Sequence, residues 1–136
     1  MDERFSEPLV TQPERTNAVP VLRARGAQMA VLIGPDDGAH RFIMRRFHLA
    51  PGGRIPSHSH DAIEHEQVMV RGEMAIGLGD DEHTVHPGDA IFIPAGTPHW
   101  YENRGTKEVE FICVVPYTTE YSTEWLEDPP EGAVKE

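Results

Sequence analysis

The chain has 136 residues, enough for one domain with a substantial hydrophobic core but too few for two such domains. Hydrophobic residues make up 38% of it and charged residues 26%, which is typical of a globular domain. Its formal net charge of −11 disfavours nucleic acid and anionic membrane partners, because an acidic surface repels phosphate groups.

Both ends of the chain are polar. Residues 1–20 include three prolines and are predicted to form an arm. The start is acidic and lacks the apolar segment that a secretory signal peptide needs. From Thr118 onward the chain is acidic again, with Pro and Gly within 129–132, so we expect a loose tail at 118–136. Trp125 and Leu126 are the one apolar pair there that could attach it.

Between arm and tail, short apolar runs alternate with turns rich in Gly, Pro and Asp. None of these runs shows the 3.6-residue period of an amphipathic helix. The predicted strands are Met29–Ile33, Arg41–Leu49, His65–Val70, Glu73–Leu78, His83–His86, Ala90–Ile93 and Val109–Val115. Short strands with this punctuation are typical of an all-β sandwich or barrel, so we predict a single barrel domain over residues 21–117.

The cysteine content and the hydropathy of the chain indicate a compartment. The single cysteine, Cys113, excludes an internal disulfide and is compatible with a reducing environment. No stretch approaches the roughly 18 apolar residues that a membrane-spanning helix requires. The sequence therefore predicts a cytoplasmic protein that does not enter the membrane.

Four histidines have the spacing of ligands to one metal ion. His58 and His60 are two residues apart, so on a strand both imidazoles leave the same face. His65 follows after a gap long enough to end one strand and begin another, and His99 comes directly after a rigid turn that contains Pro and Gly. Imidazole binds Mn, Fe, Co, Ni, Cu and Zn, so we predict one divalent ion per chain. The remaining histidines fit no such pattern and are expected at the surface: His40, His48, His83 and His86.

Two motifs framed by glycine contain these histidines. The fixed positions are Gly52, His58, His60 and Gly72 in the first motif, and Gly88, Pro94, Gly96, His99 and Asn103 in the second. With 15 residues between them, the pair resembles the two motifs of the cupin superfamily. The resemblance covers about residues 40–116 and implies a small double-stranded β-helix, or jelly-roll barrel, in agreement with the turn pattern.

The third ligand position departs from the usual cupin pattern. Cupins commonly place a glutamate there, but the count through the first motif arrives at His65, with Glu64 and Glu66 on either side. On a strand, His65 shares one face with Gln67 and Met69, whereas the two glutamates share the other. A glutamate could bind the metal only if a bulge changed this alternation, so we predict His65 as the ligand.

This histidine set is similar to that of the small single-domain manganese cupins. The resemblance extends to residues 42–45 and 110–113 and implies that Arg45, Phe111 and Cys113 line the inner barrel near the metal. Gln67 and Met69 are further pocket candidates because they share the face of the third ligand. The simpler alternatives are that Arg45 is an exposed strand charge and that Cys113 is a small buried hydrophobic residue.

Four neutral imidazoles would leave a divalent ion with a net charge near +2, whereas one carboxylate ligand lowers it to about +1. Such a centre binds anionic oxygen well and stabilises divalent manganese or iron, which are the predicted metals, with Zn, Ni, Cu and Co as alternatives. Four ligands leave about two neighbouring octahedral positions for substrate or dioxygen. Protons should compete with the metal near the pKa of free histidine, about 6.5.

These features predict a metal-dependent dioxygenase or related oxidoreductase acting on a small oxygen-chelating organic molecule, with O₂ as a possible co-substrate. The sequence assigns no catalytic residue. A binding module without turnover remains an alternative, and so does a metal-dependent isomerase or decarboxylase. Oxalate decarboxylase-like cupins usually combine three histidines with a glutamate in two-barrel proteins, and this chain departs from both features.

A homodimer is predicted from the edges and faces of the expected sheet. A small barrel leaves edge strands whose unpaired backbone groups invite pairing. The apolar run from Val19 to Ile33 could add to a neighbour's sheet, and Val68 and Val70 need cover on the face opposite the metal. A twofold arrangement would meet both needs. The alternative is a monomer whose own arm folds back over the edge.

Overall fold

The computed structural model describes residues 6–12 and 17–135 of the chain. These residues contain ten β-strands and one short 3₁₀ turn, joined by loops. The strands are β1 (Val19–Pro20), β2 (Arg25–Ile33), β3 (Phe42–His60), β4 (His65–Arg71), β5 (Met74–Leu78), β6 (Asp81–Val85), β7 (Ala90–Ile93), β8 (His99–Glu102), β9 (Val109–Pro116) and β10 (Thr123–Trp125), with the 3₁₀ turn at Pro35–Asp37. Over these residues no helix has the length and apolar character needed to cross a bilayer. The all-β prediction is confirmed.

The strands form a curled antiparallel sheet organised around β3. Along the main path the strand order is β6-β5-β8-β3-β9-β4-β7, while β2 and β10 also pair with β3, and β1 pairs with β2. The strand β3 is 19 residues long and changes partners along its length. Its first half pairs with β2 and β9, and its second half pairs with β8 and β10. This change of partners brings β10, from the C-terminal segment, to the second half of β3.

The seven predicted strands are all present, but three strands and one extension were not predicted. The prediction missed β1, β8 and β10, and it ended β3 at Leu49, whereas the strand continues to His60. Continuation is possible because Gly53 has no side chain. A Cβ atom there would lie 2.7 Å from the Gly26 carbonyl oxygen and 2.8 Å from that of Ala50. Because β3 continues past Gly53, His58 and His60 lie within the sheet.

The core lies on the concave side of the sheet and follows the alternation of each strand. On β9 every second residue is buried: Val109, Phe111, Cys113 and Val115. On β4 the buried residues are His65, Gln67 and Met69, and the residues between them are exposed. The predicted two-face assignment of β4 is therefore confirmed, with no bulge between His65 and Val68 in its pairing with β7.

The C-terminal segment corrects the prediction of a loose tail. Thr123–Trp125 pairs with His58–His60 of β3, and the Leu126 amide donates to the Ser57 carbonyl oxygen at 2.9 Å. Arg54 then donates to both carboxylate oxygens of Glu127, at 2.8 and 2.7 Å. The segment is acidic and rich in Pro and Gly, but the edge of β3 and the half-buried Arg54 supply partners that composition does not reveal.

The outer face of the sheet is apolar across four strands. The register places one row of side chains across β3, β9, β4 and β7, namely Met44, Val114, Glu66 and Phe92. The next row contains Arg46, Ile112, Val68 and Ala90. Phe42 and Phe92 are 64% and 58% exposed on this surface, which we call the outer apolar face. The run predicted to reach a neighbour's sheet, Val19–Ile33, lies within its own sheet, because β2 pairs with β3 and β1 pairs with β2.

Candidate metal centre

Two adjacent strands bring three histidines together. His58 and His60 lie on β3, and His99 is the first residue of β8, opposite His58 in the register. One potential ligand atom from each of these side chains lies within 4.8 Å of the others. The ring centroid of His99 is 4.2 Å from that of His58 and 5.8 Å from that of His60. The three histidines could therefore hold one metal ion.

Hydrogen bonds orient each of the three rings. The Nδ1 atoms of His58, His60 and His99 lie 2.7 Å from Pro56 O, 2.9 Å from Thr123 Oγ1 and 2.9 Å from Thr97 O, respectively. A carbonyl oxygen only accepts, so His58 and His99 donate from Nδ1 and keep a lone pair on Nε2. His99 Nε2 is buried and has no partner among the described residues. Second-sphere contacts of this kind are typical of metal-binding histidines.

His65 lies beside the three histidines without belonging to the closest set. It is the first residue of β4 and is 4% exposed. Its ring centroid is 5.0 Å from that of His99 and 5.3 Å from that of His60, and its Nδ1 is buried without a partner among the described residues. Glu64 and Glu66 are exposed on the opposite side of the strand. Coordination by His65 therefore stays a prediction, with an imidazole and not a carboxylate facing the cluster.

Burial keeps all four rings neutral. It lowers the pKa of His60 to about 4, that of His99 to about 3 and that of His65 to about 2, with smaller contributions from neighbouring imidazoles and from Arg45. Burial lowers the pKa of His58 as well. Neutral imidazole is the form that binds a metal ion, so the donor set is ready to bind at physiological pH.

Metal binding at pH 6.0 is expected to release few protons. Four histidines with the usual pKa of about 6.5 would release roughly three protons at this pH, whereas rings with lowered pKa values should release less than about one. Titration of metal-free protein with Mn²⁺ by calorimetry in buffers of different ionisation enthalpy measures this number. Release of two or more protons would show that the free site is protonated, and would contradict the burial argument.

The same pKa shifts set the acid stability of the metal-free protein. The unfolded chain binds protons below about pH 6.5, but the buried rings do not, so folding stability is fully present above that pH and decreases toward pH 4. The sequence placed competition between protons and metal near pH 6.5. The lowered pKa values move the expected competition at the folded site to more acidic pH.

A cavity of about 400 Å³ opens above the histidines. Its walls are largely apolar and include Met29, Phe47, Tyr101, Trp125 and residues 19–22. The volume lies within the usual range of small-molecule sites, roughly 300–1,000 Å³. The lining has a polar base of imidazoles and aromatic walls, which suits a flat organic molecule with oxygen at one edge.

The predicted pocket residues separate into two groups. Arg45 and Gln67 line the cavity together with the histidines. Met69, Phe111 and Cys113 are at most 2% exposed and lie in the core rather than in the cavity lining. The alternation of the strands identifies the inward face correctly, but it does not tell a cavity wall from the core packed beneath it.

Several cavity residues were not predicted. Tyr101 and Phe47 lie two positions after His99 and Arg45, so strand alternation would have found both. Thr123 and Trp125 carried no such signal, because their position depends on the pairing of β10 with β3. Outside the cavity, His40, His83 and His86 are exposed as predicted, and His48 is partly exposed and 4.0 Å from Glu110.

Comparisons with known proteins agree with this geometry. The family model for the cupin domain matches residues 45–115. The solved structure of the polyketide cyclase RemF from Streptomyces resistomycificus is 30% identical, with a TM-score of 0.79, and the match covers 91% of this chain and 90% of that one. A structure from Rhodospirillum rubrum described as a cupin-2 domain has a TM-score of 0.73 at 19% identity, covering 93% and 83% of the two chains. The predicted jelly-roll fold is confirmed.

Curated relatives match over shorter regions. The tetracenomycin polyketide synthase protein TcmJ from Streptomyces glaucescens is 26% identical over 90 residues, which are 66% of this chain and 60% of TcmJ. A germin-like protein, subfamily T member 3, from Arabidopsis thaliana is 31% identical over 72 residues, 49% of this chain and 32% of the relative. The matches thus span 32% and 60% of the length of these two curated relatives.

Proposed function

The chain belongs to the cupin family, and from this premise we propose that it is a metal-dependent enzyme acting on a small, oxygen-rich molecule of the aromatic or polyketide type. One observation carries the proposal: the cavity joins a neutral histidine cluster at its base to walls that contain Phe47, Tyr101 and Trp125. Aromatic walls stack on planar ligands, and histidine-bound metals bind their oxygen atoms.

The proposed ligand set is His58, His60, His65 and His99. The residues fit a metal because two buried nitrogens, His65 Nδ1 and His99 Nε2, lack partners among the described residues, and because all four rings are held neutral. No carboxylate belongs to the described lining of the cavity, so the donor set is all imidazole. Manganese or iron is the proposed metal, since borderline nitrogen ligands suit both.

The contribution of His65 is tested against its neighbour Glu66. His65→Ala is expected to reduce manganese affinity by at least about tenfold, because it removes a proposed ligand, whereas Glu66→Ala removes an exposed carboxylate from the opposite face. Metal content after dialysis and a calorimetric titration measure the difference. Equal manganese affinity in the two variants would contradict the four-histidine set and leave a three-histidine site.

The cavity residues have separate tasks in the proposed reaction. A bound divalent metal would supply Lewis-acid stabilisation of an enolate or phenolate oxygen. The apolar wall segments exclude water from the bound ring. Burial raises the pKa of Tyr101, so its hydroxyl keeps its proton, and Gln67 Nε2 donates to that oxygen at 2.7 Å. Tyr101 can therefore hold a proton at Oη beside the substrate.

Cyclisation of a polyketide-type substrate is the first reaction class to test. The support is the likeness to the polyketide cyclase RemF over nine tenths of both chains, and to TcmJ. Stabilising an enolate and holding the chain in one conformation are what such ring closure requires. The described lining offers no carboxylate base, so we expect a substrate whose acidic C–H proton passes to solvent water as the enolate forms.

A dioxygenase is the second candidate, favoured by the all-imidazole donor set. Neutral ligands leave the divalent ion more positive than a set with glutamate and so stabilise the reduced state of manganese or iron. A small-molecule binding module without turnover is the non-enzymatic outcome.

Turnover by reconstituted protein separates these functions. Protein stripped of metal is loaded with Mn²⁺, Fe²⁺ or Zn²⁺ and incubated with a panel of poly-β-ketones, diketones, catechols and flavonols, with O₂ recorded by electrode and products by mass spectrometry. A dehydrated or isomeric ring product without O₂ uptake supports the cyclase, and O₂ incorporation supports the dioxygenase. Ligand binding without any product for any metal would contradict the enzyme proposal.

A homodimer through the outer apolar face is expected to accompany this function. Phe42 and Phe92 are both more than half exposed on the outer apolar face, and exposed apolar patches mark protein–protein contacts. A twofold packing of this face against a second copy would cover both side chains. Light scattering should give about twice the 15.2 kDa of one chain. Phe92→Asp should give a monomer that keeps its metal, whereas His83→Asp, at an exposed position on β6 at the other end of the strand order, should stay dimeric. A monomeric wild-type protein at micromolar concentration would contradict the dimer.

A further inference from the structure

The charge of the cavity is unbalanced. Arg45 is the one side chain with a permanent charge in the described lining, and no Asp or Glu lines the cavity with it. No carboxylate of the described residues forms an ion pair with Arg45. A guanidinium partly removed from water normally has an anionic or strongly accepting partner, because desolvation of an unpaired charge is costly.

The contacts of Arg45 leave its strongest hydrogen-bonding capacity unused. Its Nη2 lies 3.3 Å from Cys113 Sγ, a weak acceptor, and its guanidinium carbon lies 5.1 Å from the Phe47 ring centroid. Its Nε is buried and has no hydrogen-bond partner among the described residues. Packing against Phe47 explains the position of the side chain, but it does not satisfy these donors.

The adjacent residue shows what a structurally paired arginine looks like in this sheet. Arg46 points to the other face of β3; its Nε also lacks a hydrogen-bond partner among the described residues, but it lies 3.8 Å from Glu110 Oε1 and so forms an ion pair that Arg45 does not have. Glu110 lies on the outer side of β9, opposite His48 in the register. Arg45, on the inner face, lies opposite Cys113 in the register and meets no such carboxylate. The two neighbouring arginines therefore form a matched pair that differs in whether the protein itself supplies the anion.

A second unpartnered group lies in the same cavity. Gln67 is 96% buried and its Nε2 donates to Tyr101 Oη at 2.7 Å and approaches Cys113 Sγ at 3.3 Å. Its Oε1 has no partner among the described residues. Arg45 and Gln67 both contact the Cys113 sulfur, so the free donor and the free acceptor belong to one small region. Buried polar atoms without partners are rare in folded proteins and mark a place for a ligand or water.

We propose that Arg45 and Gln67 form an oxygen-binding subsite beside the histidines that selects substrates with an acidic oxygen and a neighbouring hydroxyl. Arg45 donates to the anionic oxygen of a carboxylate, phenolate or enolate, and Gln67 Oε1 accepts from the hydroxyl. The inference rests on the proposed function and adds a substrate class to it: anionic, hydroxylated molecules, positioned by two residues that line the cavity with the histidines but are not proposed metal ligands. Charge-assisted bonds of this kind are stronger than neutral ones and fix the orientation of the ligand.

Binding of simple probes to metal-free protein tests the subsite without relying on the metal. Calorimetry with benzoate as the carboxylate source, 4-nitrophenolate as the phenolate source and benzamide as the neutral control is run on the wild type, Arg45→Gln and Arg46→Gln. Arg45→Gln should lower the affinity for at least one of the two anions by about tenfold or more and leave the affinity for benzamide unchanged. Arg46→Gln should have the same affinities as the wild type. Which anion responds identifies the preferred oxygen source.

The role of Gln67 is tested with an added hydroxyl. In the wild type 3-hydroxybenzoate should bind several-fold more tightly than benzoate, and Gln67→Leu should remove that difference while keeping the affinity for benzoate. Thermal unfolding verifies that each variant is folded. Equal anion affinity in the wild type and Arg45→Gln, or no anion binding to the wild type, would overturn the subsite. Arginine-dependent binding in a protein that turns over no substrate would instead defeat the enzyme proposal and leave the subsite intact.

Discussion

Manganese affinity is expected to fall by more than about 100-fold when His99 is replaced by alanine, because loss of a direct ligand should exceed the 10–100-fold effect of losing a second-sphere partner. His99 is 1% exposed and its Nδ1 lies 2.9 Å from the Thr97 carbonyl oxygen, which leaves Nε2 free beside the rings of His58 and His60.

Two further variants serve as comparisons for the manganese affinity of His99→Ala. Thr123→Val removes the hydroxyl that lies 2.9 Å from His60 Nδ1, so it should weaken manganese binding by about 10–100-fold. His83→Ala removes an exposed histidine on β6 and should bind manganese like the wild type. Calorimetric titration and elemental analysis provide the affinities, and unfolding of the metal-free variants checks the fold. Wild-type manganese affinity in His99→Ala would contradict the site.

Gly72→Ala is expected to reduce the free energy of unfolding by about 3 kcal/mol or more, from backbone strain and a steric clash together. Gly72 follows β4 with φ of +79°, in the left-handed region that side chains disfavour. A Cβ there would also press against the Glu108 carbonyl oxygen and lie 3.1 Å from the Val109 Cα. Backbone atoms cannot rotate away as a side chain can, so the turn into β5 must distort.

Gly52→Ala separates strain from clash. Gly52 has a φ of +82°, close to that of Gly72, but nothing lies within 4 Å of a Cβ built on it. This variant should lose only about 1–2 kcal/mol, the usual cost of a left-handed conformation for an L-residue. Urea unfolding of the metal-free proteins compares the two. Equal losses would show that the conformation alone, and not the contact with Glu108, makes glycine necessary at position 72.

Much of the inner face of the site could be predicted because it depends on local alternation. The period of two along β4 places His65 and Gln67 inward and Glu64 and Glu66 outward, and the structure agrees. The same rule would have added Tyr101 to the site from its spacing to His99. Strand periodicity is a property of neighbouring residues, so a sequence carries it without knowledge of the fold.

The depth of the cavity and its outer walls could not be predicted in this way. Phe111 and Cys113 share the inward face of β9 with equal sequence evidence, yet both lie in the core beneath the cavity. Trp125 reaches the site because β10 pairs with β3 some sixty residues earlier in the chain. The pairing is stabilised by the hydrogen bonds that Arg54 donates to Glu127. Nothing in the sequence around either residue indicates that the two are in contact.

The cavity is built from two parts of the chain, the segment that matches the cupin model and the stretches on either side of it, including β10. The segment that matches the cupin model, residues 45–115, contains all four site histidines together with Arg45 and Gln67. The wall formed by residues 19–22, Met29, Thr123 and Trp125 comes from outside that segment. Chimeras that exchange only these flanking stretches between relatives, with Thr123 kept for its contact with His60 Nδ1, should therefore alter which molecules enter while preserving the four histidines at the base. In this chain selectivity can evolve at the periphery without disturbing the donor set.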